Sequence, residues 1–249
     1  MGTPPGKNLV IFGATGRTGA PTLKLALEEG WAVTVLVRDA SRLPPGRPPG
    51  RVFVGDARDP QIVGRALRGQ DAVIIVLGTR DDLGPTTMLS ESTKTIVEAM
   101  KLHGVRKVVV CLSSFLLWDP EKIPERLLPV TQEHARMEKI LRDSGLDCVY
   151  VLPPHIEGSL GGGRVVVTEG ALGPTRRVGA EDLARFLLSC ARSQRHIGQR
   201  LHLCGSPLPI WMLETPQEPL ENLQEGPSRP SPSLLVAPRG ESGASVASG

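Results

Sequence analysis

At 249 residues, 40% of them apolar and 22% charged, the chain has the size and composition of a soluble globular protein with a core of its own. A net charge of +3 carried by scattered basic residues, with only 3% aromatic side chains, argues against a nucleic-acid surface. No apolar run approaches membrane-spanning length, and the opening Met-Gly-Thr-Pro-Pro-Gly-Lys has no signal-peptide core and no hydroxyl residue at position 6, so a cytosolic location is expected.

Strand and helix patterns alternate through the first 200 residues. Residues 9–12 predict a strand and 17–29 a helix, with Leu23, Ala26 and Leu27 on one face and Gly30 closing it. A second strand is expected over 32–37, a Pro- and Gly-rich loop over 44–50, a short strand over 51–54 and a short helix over 62–67. The near-continuous apolar run 71–77, ending at Gly78, suits a strand covered on both faces. A helix over 89–103 stops at Gly104, and a fifth strand over 107–112 ends in Ser113-Ser114.

Beyond a Pro-punctuated loop, residues 131–144 predict a helix with Thr131 as N-cap, and 148–152 a sixth strand ending at Pro153-Pro154-His155. Gly161-Gly162-Gly163, a β-like stretch over 164–168 and a helix over 180–191 complete the pattern. The expected architecture is α/β: a Rossmann-like, doubly wound parallel sheet in a single domain, residues 1–205, binding ligands at the strands' carboxyl ends. Residues 206–249, rich in Pro, Ser, Gly and Glu, read as a mostly disordered tail with one apolar island at 210–213.

The first strand empties into Gly13-Ala14-Thr15-Gly16-Arg17-Thr18-Gly19, a glycine loop opening a helix. A dinucleotide pyrophosphate needs that arrangement, because the backbone approaches closely and a helix amino end points free N–H groups at the phosphates. Arg17 either faces those phosphates or is solvated. The second strand ends in Arg38, where an NAD-binding chain usually carries an acid for the ribose 2′-hydroxyl. A guanidinium instead matches a 2′-phosphate, with Ser41 and Arg42 as further donors, so the expected cofactor is NADPH; Asp39 is the residue that would favour the ribose.

Asp56 is placed to meet the adenine or to stand as a surface acid. Leu77 and Gly78 end the fourth strand where a side chain would collide with the cofactor ribose, and Arg80 lies just beyond.

The four cysteines, Cys111, Cys148, Cys190 and Cys204, form no C-x-x-C pair and read as buried free thiols, with no metal site. A Tyr-x-x-x-Lys acid is absent: Tyr150, the single tyrosine, is followed four residues on by Pro154. Near the strand ends there remain Ser113, Ser114, His134 and His155. His155, stiffened by two prolines, is a catalytic or a structural histidine; His134, at the exposed start of a helix, is a cofactor contact or a surface group.

The glycine loop, Val33-Thr-Val-Leu-Val-Arg-Asp39, Leu77-Gly-Thr-Arg80, Pro85-Thr-Thr87, Ser114-Phe-Leu-Leu-Trp-Asp-Pro120, Ser144-Gly-Leu146 and Pro153-Pro-His-Ile156 resemble the NADPH-dependent flavin reductase (biliverdin-IXβ reductase) family. The resemblance spans roughly residues 7–200. It implies hydride transfer from NADPH to FMN, FAD or biliverdin IXβ in an open pocket of a monomer. By the same resemblance Ser113 and His155 lie beside nicotinamide and substrate, Pro154 contacts the cofactor, and Lys122, Arg126 and Arg176 line the pocket mouth.

Phe115 and Trp118 beside Ser113 suit a flat acceptor. Arg17 departs from the family, which has a neutral amide there, and so does the sequence after the last strand. The alternatives are a non-catalytic NADP(H) sensor of the same fold and a reductase or epimerase acting on small carbonyl compounds.

Overall fold

A computed structural model describes residues 8–158 and 163–206. In chain order it runs β1 (Asn8–Phe12), α1 (Gly19–Glu28), β2 (Ala32–Val37), β3 (Arg51–Val54), α2 (Pro60–Leu67), β4 (Ala72–Ile75), α3 (Met88–His103) and β5 (Lys107–Cys111). Then follow α4 (Leu128–Arg142), β6 (Asp147–Val151), β7 (His155–Glu157), β8 (Val165–Glu169), β9 (Arg177–Gly179), α5 (Ala180–Arg192) and β10 (Arg200–Gly205). Short 3-10 turns occupy Ala40–Arg42, Ser114–Leu117, Pro120–Lys122 and Glu125–Leu127.

Eight strands form one sheet in the order β3-β2-β1-β4-β5-β6-β10-β8, parallel throughout except for β8, which runs antiparallel to β10. β1 sits at the switch point of this order, with Ile11 between Val35 of β2 and Ile74 of β4. Strand side chains alternate between two cores, so the central strands must be apolar on both faces. Leu9 and Ile11 join one core with Leu23 of α1 and Leu187 of α5. Val10 and Phe12 join the other with Val63 of α2, Ile96 of α3 and Met137 of α4. Helices cover both faces, and the carboxyl ends of β1, β2, β4, β5 and β6 open together along one edge.

Several boundaries differ from the sequence expectation. α1 begins at Gly19, which leaves Arg17 and Thr18 in the loop. β4 ends at Ile75; Val76 keeps one bond to β1, its N–H to the Phe12 carbonyl at 2.9 Å, and Leu77 and Gly78 leave the ladder. Thr131 is not an N-cap: α4 starts at Leu128 with Pro129 in its first turn, where a missing N–H costs no helix bond, and Thr131 is buried inside the helix.

Neither β10 nor the small parallel pair β7–β9 is visible as a pattern in the sequence. In β10 the polar Arg200 and His202 interrupt the apolar run, and both find partners inside the fold: Glu138 for Arg200 and the Gly173 N–H for His202. The three residues of β7 and of β9 are too few to show a period. Of the C-terminal region only Ser206 is described; it donates its N–H to the Arg164 carbonyl at 2.7 Å. The expected tail beyond it, its 210–213 island, and Gly161 and Gly162 lie outside the described residues.

Candidate functional site: a cleft across the strand ends

The carboxyl ends of the central strands enclose a cleft of about 600 Å³. Its first wall is the glycine loop. Gly13 has φ +95°, and a Cβ there would lie 2.5 Å from the Val76 carbonyl oxygen; at Gly19 a Cβ would stand 2.0 Å from the Gly13 oxygen. Only glycine lets the loop fold this closely on β4 and on itself. No side chain caps the amino end of α1, and no acidic residue sits in its first turn, so the end is electropositive. Thr15, Gly16, Arg17 and Thr18 line the cleft. Ala14 is buried beneath the loop and Gly19 supports it from behind. The Arg17 guanidinium reaches across to Asp81 at 2.9 Å, both side chains being largely exposed.

At the end of β2, Arg38 and Arg42 line the cleft. Asp39 is otherwise engaged: its carboxylate accepts from the Ser41 N–H at 2.9 Å and the Ser41 hydroxyl at 2.7 Å. These bonds hold its pKa below the ordinary value, and they leave Ser41 outside the lining. Asp56, also on the wall, is bound by Arg58 at 2.8 Å, which lowers its pKa to about 2.

Leu77, Gly78 and Arg80 follow on the β4 side. A Cβ on Gly78 would meet no protein atom within 4 Å, so nothing in the protein's own packing requires glycine there; its absent side chain keeps cleft volume free. Arg80 is the one non-glycine described residue with positive φ, at 62°.

The floor comes from β5, β6 and α4. Cys111 is buried there with its pKa pushed up to about 12 by desolvation, an inert thiol; all four cysteines are buried and free. The Ser113 hydroxyl, next in line, accepts from the Phe115 N–H at 3.3 Å. Pro154 and the exposed His155 close the opposite side, and the His155 N–H is fixed to the Arg176 carbonyl at 3.2 Å.

His134 is not exposed as the sequence suggested. It lies in the second turn of α4, half-buried against the cleft, because that helix begins earlier than expected. Burial lowers its pKa to about 4, and its Nδ1 has no protein partner among the described residues. The free volume at Gly78, the uncapped end of α1 and the orphaned His134 nitrogen all fit a dinucleotide lying across the cleft.

Phe115 and Trp118 stand beyond Ser113 with ring centroids 4.9 Å apart, and the Arg176 guanidinium lies over Trp118 at 5.1 Å. This wall adjoins the cleft without lining it. Lys122, paired with Asp119 at 3.4 Å, and Arg126 are exposed and also outside the lining. Sequence reasoning missed Asp81, Met88, Ser92 and Val130, which line the cleft from loops and helices whose inward faces no motif marks.

The profile of the NAD(P)H-binding family matches residues 13–194. Among curated proteins the chain is similar to High Chlorophyll Fluorescence Phenotype 244, a chloroplastic protein of Arabidopsis thaliana, at 28% identity over 80% of this chain and 51% of that one. It is also similar to the photosystem II assembly factor Ycf39 of Cyanophora paradoxa, at 25% over 62% of this chain and 47% of that one. The chain thus spans about half the length of these relatives.

Among solved structures it superposes on a putative NAD-dependent epimerase/dehydratase from Bacillus halodurans, with TM-score 0.73 and 20% identity over 82% of this chain and 96% of that one. Another neighbour is ChuY, an anaerobilin reductase from Escherichia coli O157:H7, with TM-score 0.65 and 22% identity over 81% and 98%. At these identities the likeness establishes the fold. No helix among the described residues is long and apolar enough to cross a membrane.

Proposed function

This chain belongs to the NAD(P)H-binding family, and from that premise we propose that it is an NADPH-dependent reductase of a flat, anionic acceptor: a flavin such as FMN or FAD, or a linear tetrapyrrole of the biliverdin IXβ type. We place it in the cytosol as a monomer. The observation that carries the cofactor choice is at the end of β2. Arg38 and Arg42 face the cleft without an ion pair among the described residues, while the nearby acid, Asp39, is occupied by Ser41. Two guanidinium groups suit a 2′-phosphate, and the acid beside them, Asp39, is not among the residues that line the cleft.

When bound, the reduced nicotinamide supplies a hydride, two electrons and one hydrogen nucleus, to the acceptor. The protein's part is to bind and to orient. The glycine loop and the amino end of α1 would take the pyrophosphate, and His134 Nδ1 would accept a hydrogen bond from the cofactor. Ser113 and His155 would flank the reacting rings and order a solvent proton for a bilin. No phenolic acid takes part: Tyr150 is buried in β6, and desolvation raises its pKa. Flavin reduction generates no alkoxide that would need one. The Phe115–Trp118 wall with Arg176 above it suits a flat, negatively charged acceptor.

A second reading, a non-catalytic NADP(H)-binding protein, is favoured by the similarity to a protein named as an assembly factor. Purified protein mixed with NADPH and FMN, or NADPH and biliverdin, separates the two. We expect NADPH to be oxidised, and NADH far more slowly. The Arg38→Ala variant should lose about 10- to 100-fold in NADPH affinity, as for a charge-assisted hydrogen bond, with NADH affinity unchanged. Binding of NADPH without its oxidation by either acceptor would leave the second reading; equal losses for both cofactors would refute the role of Arg38.

A further inference from the structure

We infer that His202, buried in β10 far from the cleft in sequence, is a positioning residue that sets the acceptor wall through a clasp on the loop 171–176. This deepens the proposed function and rests on the reading of Phe115, Trp118 and Arg176 as the acceptor's seat. The loop joins β8 to β9 and delivers Arg176 to two partners at once. The Arg176 guanidinium lies over the Trp118 ring at 5.1 Å, and the Arg176 carbonyl accepts the His155 N–H at 3.2 Å. The position of this loop therefore sets where the Arg176 guanidinium meets the aromatic wall, and it adds one bond to those that hold His155 in the β7–β9 ladder.

Besides the bond from the His155 N–H, further hydrogen bonds hold the loop. Thr168 Oγ1 donates to the Ala171 carbonyl at 2.6 Å, and Thr175 Oγ1 donates to the Gly205 carbonyl at 2.6 Å. At the middle, the Gly173 N–H donates to Nδ1 of His202 at 3.1 Å. That bond requires a neutral ring with its proton on Nε2. His202 is 1% exposed, and burial lowers its pKa, so the acceptor form is the one the fold favours.

The packing is as specific as the bond. A Cβ on Gly173 would stand 2.6 Å from Cys204 Sγ and 3.1 Å from His202 Nδ1. The loop backbone thus lies directly on the inner side chains of β10, with no room for another atom. Among residue types that fit a strand, an imidazole at 202 offers a buried acceptor at this depth, and a glycine at 173 allows the approach. Without the acceptor, the N–H of the half-buried Gly173 would lose its protein partner, and the loop would loosen toward water.

The test uses the full chain with three substitutions. His202→Leu removes the acceptor, Gly173→Ala forces the loop outward while leaving His202 intact, and His202→Asn returns an acceptor oxygen near the Nδ1 position. With NADPH saturating, His202→Leu and Gly173→Ala should each raise the KM for FMN about tenfold, the effect of one lost hydrogen bond. NADPH affinity should stay within about twofold, and His202→Asn should restore much of the lost FMN affinity. Hydrogen exchange at the amides of 171–176 reads the clasp directly: it should quicken in His202→Leu and slow again in His202→Asn.

An unchanged FMN KM in both disruptive variants, with unchanged exchange at 171–176, would overturn the inference. So would an equal loss of NADPH and FMN affinity, which would mark a general loss of structure. If the wild-type protein neither binds nor reduces FMN, the proposed function fails, and exchange at 171–176 alone then decides the clasp.

Discussion

Two residues on the cleft wall carry opposing demands of stability and binding. Arg80 holds a left-handed backbone at φ 62°, a conformation that costs a side-chain-bearing residue about 1 kcal/mol. The turn that closes around it, with the Asp82 N–H donating to the Thr79 carbonyl at 3.3 Å, holds that conformation, and its position on the wall gives it access to a bound phosphate or ribose. Arg80→Gly should therefore stabilise the protein against denaturant by about 1 kcal/mol while weakening NADPH binding in a titration. A variant that loses stability and keeps its affinity would refute this division.

His134 is the second. Its folded pKa of about 4 lies below the ordinary 6.5, so an unfolded chain takes up a proton over this interval and the folded chain does not. Stability should fall as the pH drops from about 6.5 towards 4. His134→Gln should flatten that slope; parallel melting curves for the two proteins across this interval would contradict it. The sequence placed His134 near the cofactor but on an exposed turn. What it lacked was the true start of α4, three residues earlier, which rotates the imidazole onto the cleft.

At the scale of elements, the helix ends show how far local pattern reaches. Asp59 caps α2 from its own N-cap position with a bond to the Gln61 N–H at 2.8 Å, so the helix begins at Pro60, two residues before the expected 62. α3 is capped differently. Its N-cap residue Thr87 turns its hydroxyl to Glu91, and the buried carboxylate of Glu133, on α4, accepts the Ser90 N–H at 2.7 Å and the Ser90 hydroxyl at 3.0 Å. Arg136 completes the cluster at 2.7 Å and reaches the Thr86 carbonyl.

A cap supplied from a helix 43 residues away leaves no trace in any window of sequence. Glu133→Leu strips the first turn of α3 of its acceptor and Arg136 of its partner. It should lower unfolding free energy by about 3 kcal/mol in a denaturant titration. A loss below about 0.5 kcal/mol would show that water replaces the carboxylate without cost.

For the molecule as a whole, the alternation of strands and helices was legible because each central strand is buried on both faces and each helix on one. The glycine loop and Arg38 were legible because phosphate recognition uses contiguous residues. What was not legible comes from contacts between distant segments: β10 with its internally paired Arg200 and His202, the β7–β9 pair, and the cleft residues Asp81, Ser92 and Val130. The strand ends face one another across the cleft because the sheet is parallel from β3 to β10.

The central claim is that hydride passes directly from NADPH to an acceptor seated beside Ser113. Its most direct measurement is a single turnover of enzyme-bound NADPH with FMN, using cofactor deuterated in turn on each face of the nicotinamide C4. NADPH should be consumed, and deuterium should slow the reaction on one face and leave it unchanged on the other. Tight NADPH binding with no consumption, or consumption equally indifferent to label on both faces, would contradict it.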